Sequence, residues 1–173
     1  IISDLFELAK STSGNAKISM EVMDKRRLLE QTLVDMEDKI EASGFHIRFQ
    51  CTAQNTKFLG DVNRMYRVVQ NVLENALKYS MKGTRIFIDI SETADRLKLE
   101  VVNTASYEMD FTEEEIMERF ARAEKSRTSE GNGLGLSIAD SFTQNCGGKF
   151  GIEIRGDQFR VEISFQKYTE KVK

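Results

Sequence analysis

The sequence predicts an α/β sandwich, in which helices pack on one face of a single mixed, mostly antiparallel sheet of about five strands. Apolar and polar residues alternate in several short segments, of which "FHIRFQC" (45–51) is the clearest. Longer segments between them repeat apolar residues at helical spacing. Two pairs of strands are close enough in sequence to form hairpins. The predicted strands are 17–24, 45–51, 84–91, 96–103, 149–156 and 158–166.

Two aspartates mark the starts of the predicted helices in the first half of the chain. Asp24 and Asp61 each stand directly before a helical pattern, where an aspartate side chain accepts hydrogen bonds from free backbone amides. The first helix is predicted to run to about Ala42, with Gly44 just past its end, and the second to about Tyr79.

The other segments carry weaker signals. Residues 1–10 repeat apolar residues at helical spacing and are interpreted as the tail of a helix from an upstream module, with 11–16 as a linker. The polar, acidic stretch 104–130 is predicted to hold one short helix near 112–120, and 131–148 a loop followed by a helix.

Composition indicates a globular domain and argues against several classes of function. The chain has 173 residues, of which 40% are hydrophobic and 31% charged, and its net charge is −3. No basic stripe indicates nucleic-acid binding, and no apolar run approaches the roughly 20 residues that cross a bilayer. The two cysteines, Cys51 and Cys146, lack metal-ligand spacing and are expected to be reduced thiols in a cytosolic compartment.

The segment "NVLENALKYS" (71–80) carries asparagines within a helical pattern, although the short amide of asparagine competes for backbone hydrogen bonds. On a helical projection Asn71, Glu74, Asn75 and Lys78 share one arc, and apolar residues fill the opposite arc. Taken alone, the polar arc is either the solvated face of an amphipathic helix or one wall of a binding site.

A glycine-rich loop, "GNGLGL" (131–136), leads directly into an apolar helix. Glycines let the backbone approach an anion closely, and free amides at a helix start point toward it. The spacing matches neither a Walker loop nor a dinucleotide fingerprint. Just before it, "RFARAEKSR" (119–127) is a basic cluster that either neutralises phosphate or forms a solvated helix end.

In their order along the chain, these three segments resemble motifs of the ATP-binding catalytic domain of bacterial sensor histidine kinases. That domain belongs to the superfamily that includes gyrase B, Hsp90 and MutL. "NVLENALKYS" resembles the N box, "ERFARAEKSR" the F box and "GNGLGLSIA" the second glycine box. The resemblance covers 17–167 and implies a Bergerat-type fold. It implies that 1–16 are the end of a dimerisation helix with its linker, and 168–173 a C-terminal tail.

The resemblance also implies roles for individual residues. Asn71 would hold Mg²⁺ through its amide oxygen, Asn75 would contact phosphate or metal-bound water, and Glu74 would help activate the acceptor histidine. Arg122 would stabilise charge near the γ-phosphate, and Asn103 stands where the family reads adenine. The remaining residues expected to bind ATP are Lys78, Tyr79, Gly131, Gly133, Leu134, Gly135 and Leu136.

The implied activity is transfer of the ATP γ-phosphate to a histidine of an upstream dimerisation domain, followed by relay to a response regulator. ATP and Mg²⁺ are the expected cofactors. The expected partners are that dimerisation domain, the response regulator and a second copy in the full-length protein, whereas the isolated domain is expected to be monomeric. The resemblance implies a cytoplasmic domain of a membrane-anchored kinase.

The chain departs from the family in two places. The first glycine box normally reads Asp-x-Gly-x-Gly, but here Asn103, Ala105 and Tyr107 stand at its three defined positions. The only histidine, His46, lies in a predicted strand, so we do not expect it to be the phosphoacceptor. A catalytically impaired signalling module that acts through dimerisation or partner binding therefore remains an alternative. A topoisomerase or mismatch-repair ATPase is a third reading, which the F box disfavours.

Overall fold

The computed structural model of the protein describes residues 17–126 and 134–170, with side chains at all of these except 120–126 and 134. The expected dimerisation-helix tail and linker at 1–16 therefore lie outside the described residues, as do the last three residues of the expected C-terminal tail. The elements are β1 (Met20–Asp24), α1 (Lys25–Asp35), α2 (Glu37–Ser43), β2 (His46–Cys51), β3 (Lys57–Asp61), α3 (Val62–Tyr79), β4 (Arg85–Glu92), β5 (Arg96–Thr104), α4 (Glu113–Ser126), α5 (Leu134–Asn145), β6 (Lys149–Arg155) and β7 (Gln158–Gln166).

The main sheet has five strands in the order β2-β4-β5-β7-β6. Strand β2 pairs with β4 in parallel, and every other pairing in this sheet is antiparallel. The two predicted hairpins, β4–β5 and β6–β7, are both present. The mixed, mostly antiparallel sheet predicted from the sequence is thus confirmed.

The two faces of this sheet have opposite character. Ile88, Leu99 and Ile163 are at most 2% exposed and belong to the core that the helices cover. The other face carries ion pairs between neighbouring strands, such as Lys98 Nζ to Glu162 Oε1 at 3.4 Å. Because side chains alternate between faces along a strand, the apolar alternation in the sequence places the helices on one side only, as predicted.

Both predicted helix caps are formed. The Asp24 carboxylate accepts hydrogen bonds from the amides of Arg26 and Arg27, and the Asp61 carboxylate accepts one from Arg64 N at 3.1 Å. Helix α3 ends at Tyr79, as the sequence predicted.

Other predictions need correction. The first helix breaks at Met36, which is 3% exposed and leaves helical geometry at ψ 7°. Gly44 ends α2 in the left-handed region, at φ 73°. Strand β3 was missed, because Gly60 interrupts its short pattern, and it pairs with β1 in a second, two-stranded sheet. The helix predicted near 112–120 extends to Ser126.

Candidate functional site

Asn71 lies on helix α3 and is only 5% exposed, so it is not part of a solvated face. Among the residues described by the structure, its Nδ2 atom has no hydrogen-bond partner. A buried polar group left unsatisfied costs on the order of 1–3 kcal/mol. Such a cost is tolerated where a ligand or water supplies the missing partner. The burial of Asn71 argues against a solvated face at this position and favours a binding site, which stays a prediction.

The start of helix α5 lies against this amide. A Cβ atom built on Gly135 would lie 3.8 Å from both Cβ and Cγ of Asn71. Gly135 does not have a positive φ, and a Cβ there would make only an ordinary van der Waals contact, so a side chain larger than alanine is needed to fill the space beside Asn71. Helix α5 begins at Leu134, and the amides of its first turn lack intrahelical acceptors. Together these groups can hold an anion next to Asn71.

The neighbouring positions of α3 complete one side of the site. Asn75 is half-buried one turn after Asn71, and Lys78 is exposed in the last turn. The Lys78 ammonium lies over the Tyr79 ring, 5.3 Å from its centroid. The amide of Asn75, the ammonium of Lys78 and the ring of Tyr79 thus follow Asn71 toward the C-terminal end of α3.

Glu74 is directed toward a different element. Its Oε1 forms an ion pair with Lys39 Nζ of helix α2 at 2.9 Å, and both side chains are substantially exposed. The Glu74 carboxylate therefore lies at the rim of the candidate site and pairs with the exposed ammonium of Lys39. An exposed pair of this kind contributes roughly 0–1 kcal/mol, so Glu74 can be released at little cost.

Asn103, the expected adenine reader, lies at the end of strand β5. It is 4% exposed and pairs with Phe159 across the sheet, on the face that the helices cover. The chain then runs alongside the end of α3, where Met81 N donates to Thr104 O and Ser106 N donates to Tyr79 O, both at 2.8 Å. These bonds bring Asn103 and Tyr79 to the same end of the site.

An aromatic cluster, formed by Tyr79, Tyr107 and Phe111, lines this end. The ring centroids of Tyr79 and Tyr107 are 6.0 Å apart in an edge-to-face arrangement, and those of Tyr107 and Phe111 are 6.3 Å apart. Arg119 lies over the Phe111 ring at 5.6 Å. Burial raises the pKa of Tyr107, Tyr79 raises it further, and Arg119 opposes the shift.

Sequence reasoning did not find Phe111, because a single aromatic residue in a polar segment belongs to no motif. It also passed over Asp140, whose carboxylate is 7% exposed on helix α5 and accepts a 2.7 Å hydrogen bond from Gln144 Nε2. Burial raises the pKa of Asp140, and the bond from Gln144 lowers it. An acid within the apolar run "LGLSIADSF" was the available signal.

The remaining expected site residues are only partly described. Gly131 and Gly133 lie outside the described residues, and Arg122 belongs to helix α4 with no side chain described. Leu134 is the first residue of α5. The Leu136 side chain is 3% exposed and packs in the core, so only its backbone amide is available to a ligand.

No group of three or more His, Cys, Asp or Glu side chains in 17–126 and 134–170 is arranged to hold a metal ion. The amide oxygen of Asn71 is the type of ligand that Mg²⁺ accepts alongside water and phosphate oxygens. None of the helices in these ranges has the length and apolar character needed to cross a bilayer.

Comparison with known proteins gives a consistent result. The family model for histidine kinase-, DNA gyrase B- and HSP90-like ATPases matches residues 60–167. Sensor protein GtcS of Aneurinibacillus migulanus is 29% identical over 79% of this chain and 37% of its own length. Probable sensor protein PcoS of Escherichia coli is 30% identical over 93% of this chain and 35% of its own length. The chain thus spans about a third of these relatives.

Solved structures share the fold at lower identity. Full-length ShkA in complex with AMPPNP is similar with a TM-score of 0.78 and 20% identity, covering 99% of this chain and 36% of that one. Histidine kinase ThkA in complex with response regulator TrrA is similar with a TM-score of 0.74 and 20% identity, covering 99% and 49%.

Proposed function

We propose a function from one premise: the chain belongs to the family of histidine kinase-, DNA gyrase B- and HSP90-like ATPases. Within this family it is the ATP-binding catalytic domain of a sensor histidine kinase. The observation that carries the proposal is the buried Asn71 amide, whose Nδ2 has no partner among the described residues and which lies against Gly135 at the start of α5.

In the proposed complex, each element supplies one kind of contact to ATP. The Asn71 amide oxygen would hold Mg²⁺, which would supply positive charge against the phosphates, and Asn75 would contact phosphate or metal-bound water. Lys78 and the first-turn amides of α5 attract the triphosphate, together with Gly131 and Gly133. Phosphoryl transfer depends mostly on such positioning and neutralisation.

The proposed acceptor is a histidine of an upstream dimerisation domain, whose nitrogen attacks the γ-phosphorus while the bond to the ADP oxygen breaks. Glu74 lies at the rim of the site, where a carboxylate can accept the proton from that histidine, and Arg122 stabilises the phosphoryl charge. The phosphoryl group then passes to a response regulator. The names of similar proteins, which include sensor proteins and a histidine kinase in complex with a response regulator, support this assignment.

We further propose that the parent protein is a dimeric, membrane-anchored kinase with this domain in the cytoplasm. One observation favours a second candidate, a signalling module without catalysis: Asn103 and Ala105, both buried, replace the acid and the first glycine of the family pattern. The catalytic domain is expected to bind Mg-ATP, whereas the signalling module without catalysis does not require it.

The test is calorimetric titration of Mg-ATP into the wild-type chain and two variants. Asn75→Ala removes a proposed phosphate contact and should abolish binding. Asn63→Ala, at an exposed position in the first turn of the same helix, should bind like the wild type. Both variants should unfold near the wild-type temperature, because neither side chain belongs to the buried core. Equal affinity of Asn75→Ala and wild type would contradict the proposed site.

A further inference from the structure

Tyr107 is held by other rings and still presents a free surface. It contacts Tyr79 edge-to-face, with ring planes at 70°, and Phe111 in a tilted arrangement at 31°. The residue is nevertheless 43% exposed, so Tyr107 remains accessible to a ligand. An aromatic ring fixed on two sides and open elsewhere is preorganised for stacking, because little rotamer entropy remains to be lost on binding.

The backbone fixes this ring at the end of the site where Asn103 lies. Ser106 N donates to Tyr79 O, and Ser80 forms an isolated bridge with Ala105. Both contacts join the segment that follows β5 to the C-terminal end of α3. Tyr107 therefore comes directly after a backbone anchor, four positions beyond the buried Asn103 amide.

We propose that Tyr107 stacks on the nucleobase of bound ATP. This inference rests on the proposed function and adds a contact that the Asp-x-Gly-x-Gly pattern lacks, since that pattern has glycine at this position. Stacking is tolerant of base identity, because every base has a π-face. Tyr107 therefore raises affinity for ATP and GTP alike, whereas a hydrogen-bonding group such as Asn103 governs the choice between them.

The test compares three ligands in the presence of Mg²⁺: ATP, GTP and tripolyphosphate, which has no base. In Tyr107→Ala, affinity for ATP and GTP should fall by about fivefold or more, whereas affinity for tripolyphosphate should be unchanged. Tyr107→Phe should keep wild-type affinity for all three. Phe87→Ala, which removes an exposed aromatic ring from strand β4, is the matched control and should change nothing.

A merely structural role for Tyr107 would change binding of the base-free ligand as well. The proposal is overturned if Tyr107→Ala affects tripolyphosphate as strongly as ATP, if it leaves ATP affinity unchanged, or if it strengthens ATP binding. Failure of the proposed function gives a different result: wild type and Asn75→Ala would then have the same affinity for ATP, whatever Tyr107 does.

Discussion

Asn103 has an amide nitrogen where the aspartate of the family pattern has a second carboxylate oxygen, and this changes the hydrogen bonds that the buried position can make. The carboxylate of the family pattern accepts a hydrogen bond from the adenine amino group, and a charged acceptor makes this bond roughly twice as strong as a neutral one. The amide at 103 has an acceptor oxygen but also a donor nitrogen. At 4% exposure it has little access to solvent, so the orientation of the amide determines which base edge it can meet.

We therefore expect Asn103→Asp to bind ATP more tightly, by about 1 kcal/mol or severalfold in affinity. The preference for ATP over GTP should grow too, because the guanine carbonyl can meet an amide donor but not a carboxylate. Titrating ATP and GTP into wild type, Asn103→Asp and the control Asn63→Asp measures both effects. If Asn103→Asp gains neither affinity nor selectivity, Asn103 does not read the base.

Lys25 is a buried cation away from the candidate site. It is 2% exposed, and its Nζ lies 5.0 Å and 4.8 Å from the ring centroids of Phe58 and Phe165. Its Nζ donates a hydrogen bond to Ile163 O at 3.4 Å. Burial lowers the pKa of Lys25 to about 7, and the nearby Arg96 guanidinium contributes to the shift.

The lowered pKa of Lys25 makes stability depend on pH. Between pH 7 and 10.5 the unfolded chain binds a proton that the folded chain has lost, so this residue makes the free energy of unfolding rise with pH in that window. Below pH 7 both states are protonated and the full burial cost remains. Lys25→Met should therefore be more stable at pH 7 and lack this rise, as measured by urea unfolding at several pH values. The exposed Lys82→Met is the control, and an unchanged slope in Lys25→Met would contradict the prediction.

At the scale of elements, the contact between α3 and the start of α5 forms the site. A Cβ atom at Gly135 would make an ordinary 3.8 Å contact with Asn71, so Gly135→Ala should bind ATP nearly normally. The two γ-carbons of Gly135→Val extend further into the space beside Asn71 and should reduce affinity by more than about threefold, or roughly 0.7 kcal/mol. Gly151→Val, where an added Cβ meets nothing within 4 Å, is the control for titration. A smaller loss in Gly135→Val would mean that the triphosphate does not lie there.

The elements that the sequence predicted well are those with strong periodicity and a clear cap. Helix α3 follows Asp61 and keeps one apolar arc to Tyr79, so local and tertiary signals agree. The break at Met36 could not be predicted, because an apolar residue there suits a continuous helix equally well. The partnership of β1 with β3 was also hidden, since strand pairing depends on contacts between distant segments.

The site was predictable as a set of residue types but not as an arrangement. The polar arc of α3 was evident, yet burial of Asn71 depends on how closely α5 approaches, which no residue of α3 encodes. Likewise, Glu74 and Lys39 are 35 positions apart in the sequence. Their ion pair therefore depends on how helices α2 and α3 pack.

At the scale of the whole molecule, the only histidine of the sequence lies on the face of the sheet opposite the proposed ATP site. His46 is exposed at the start of β2, and the next residue, Ile47, packs against the core. Because neighbouring side chains alternate, His46 belongs to the face opposite the helices. Asn71 and Gly135 lie on helices that cover the other face.

We therefore expect the chain to bind Mg-ATP without phosphorylating itself. Incubation with γ-labelled Mg-ATP should leave no acid-labile phosphate on the protein, whereas adding the purified dimerisation domain of the parent protein should produce label on that domain. The label should disappear with Asn75→Ala and persist with His46→Ala, since only the former residue contacts ATP in the proposed site. Stable label on His46 of the chain alone would contradict both the placement of the acceptor and the proposed direction of transfer.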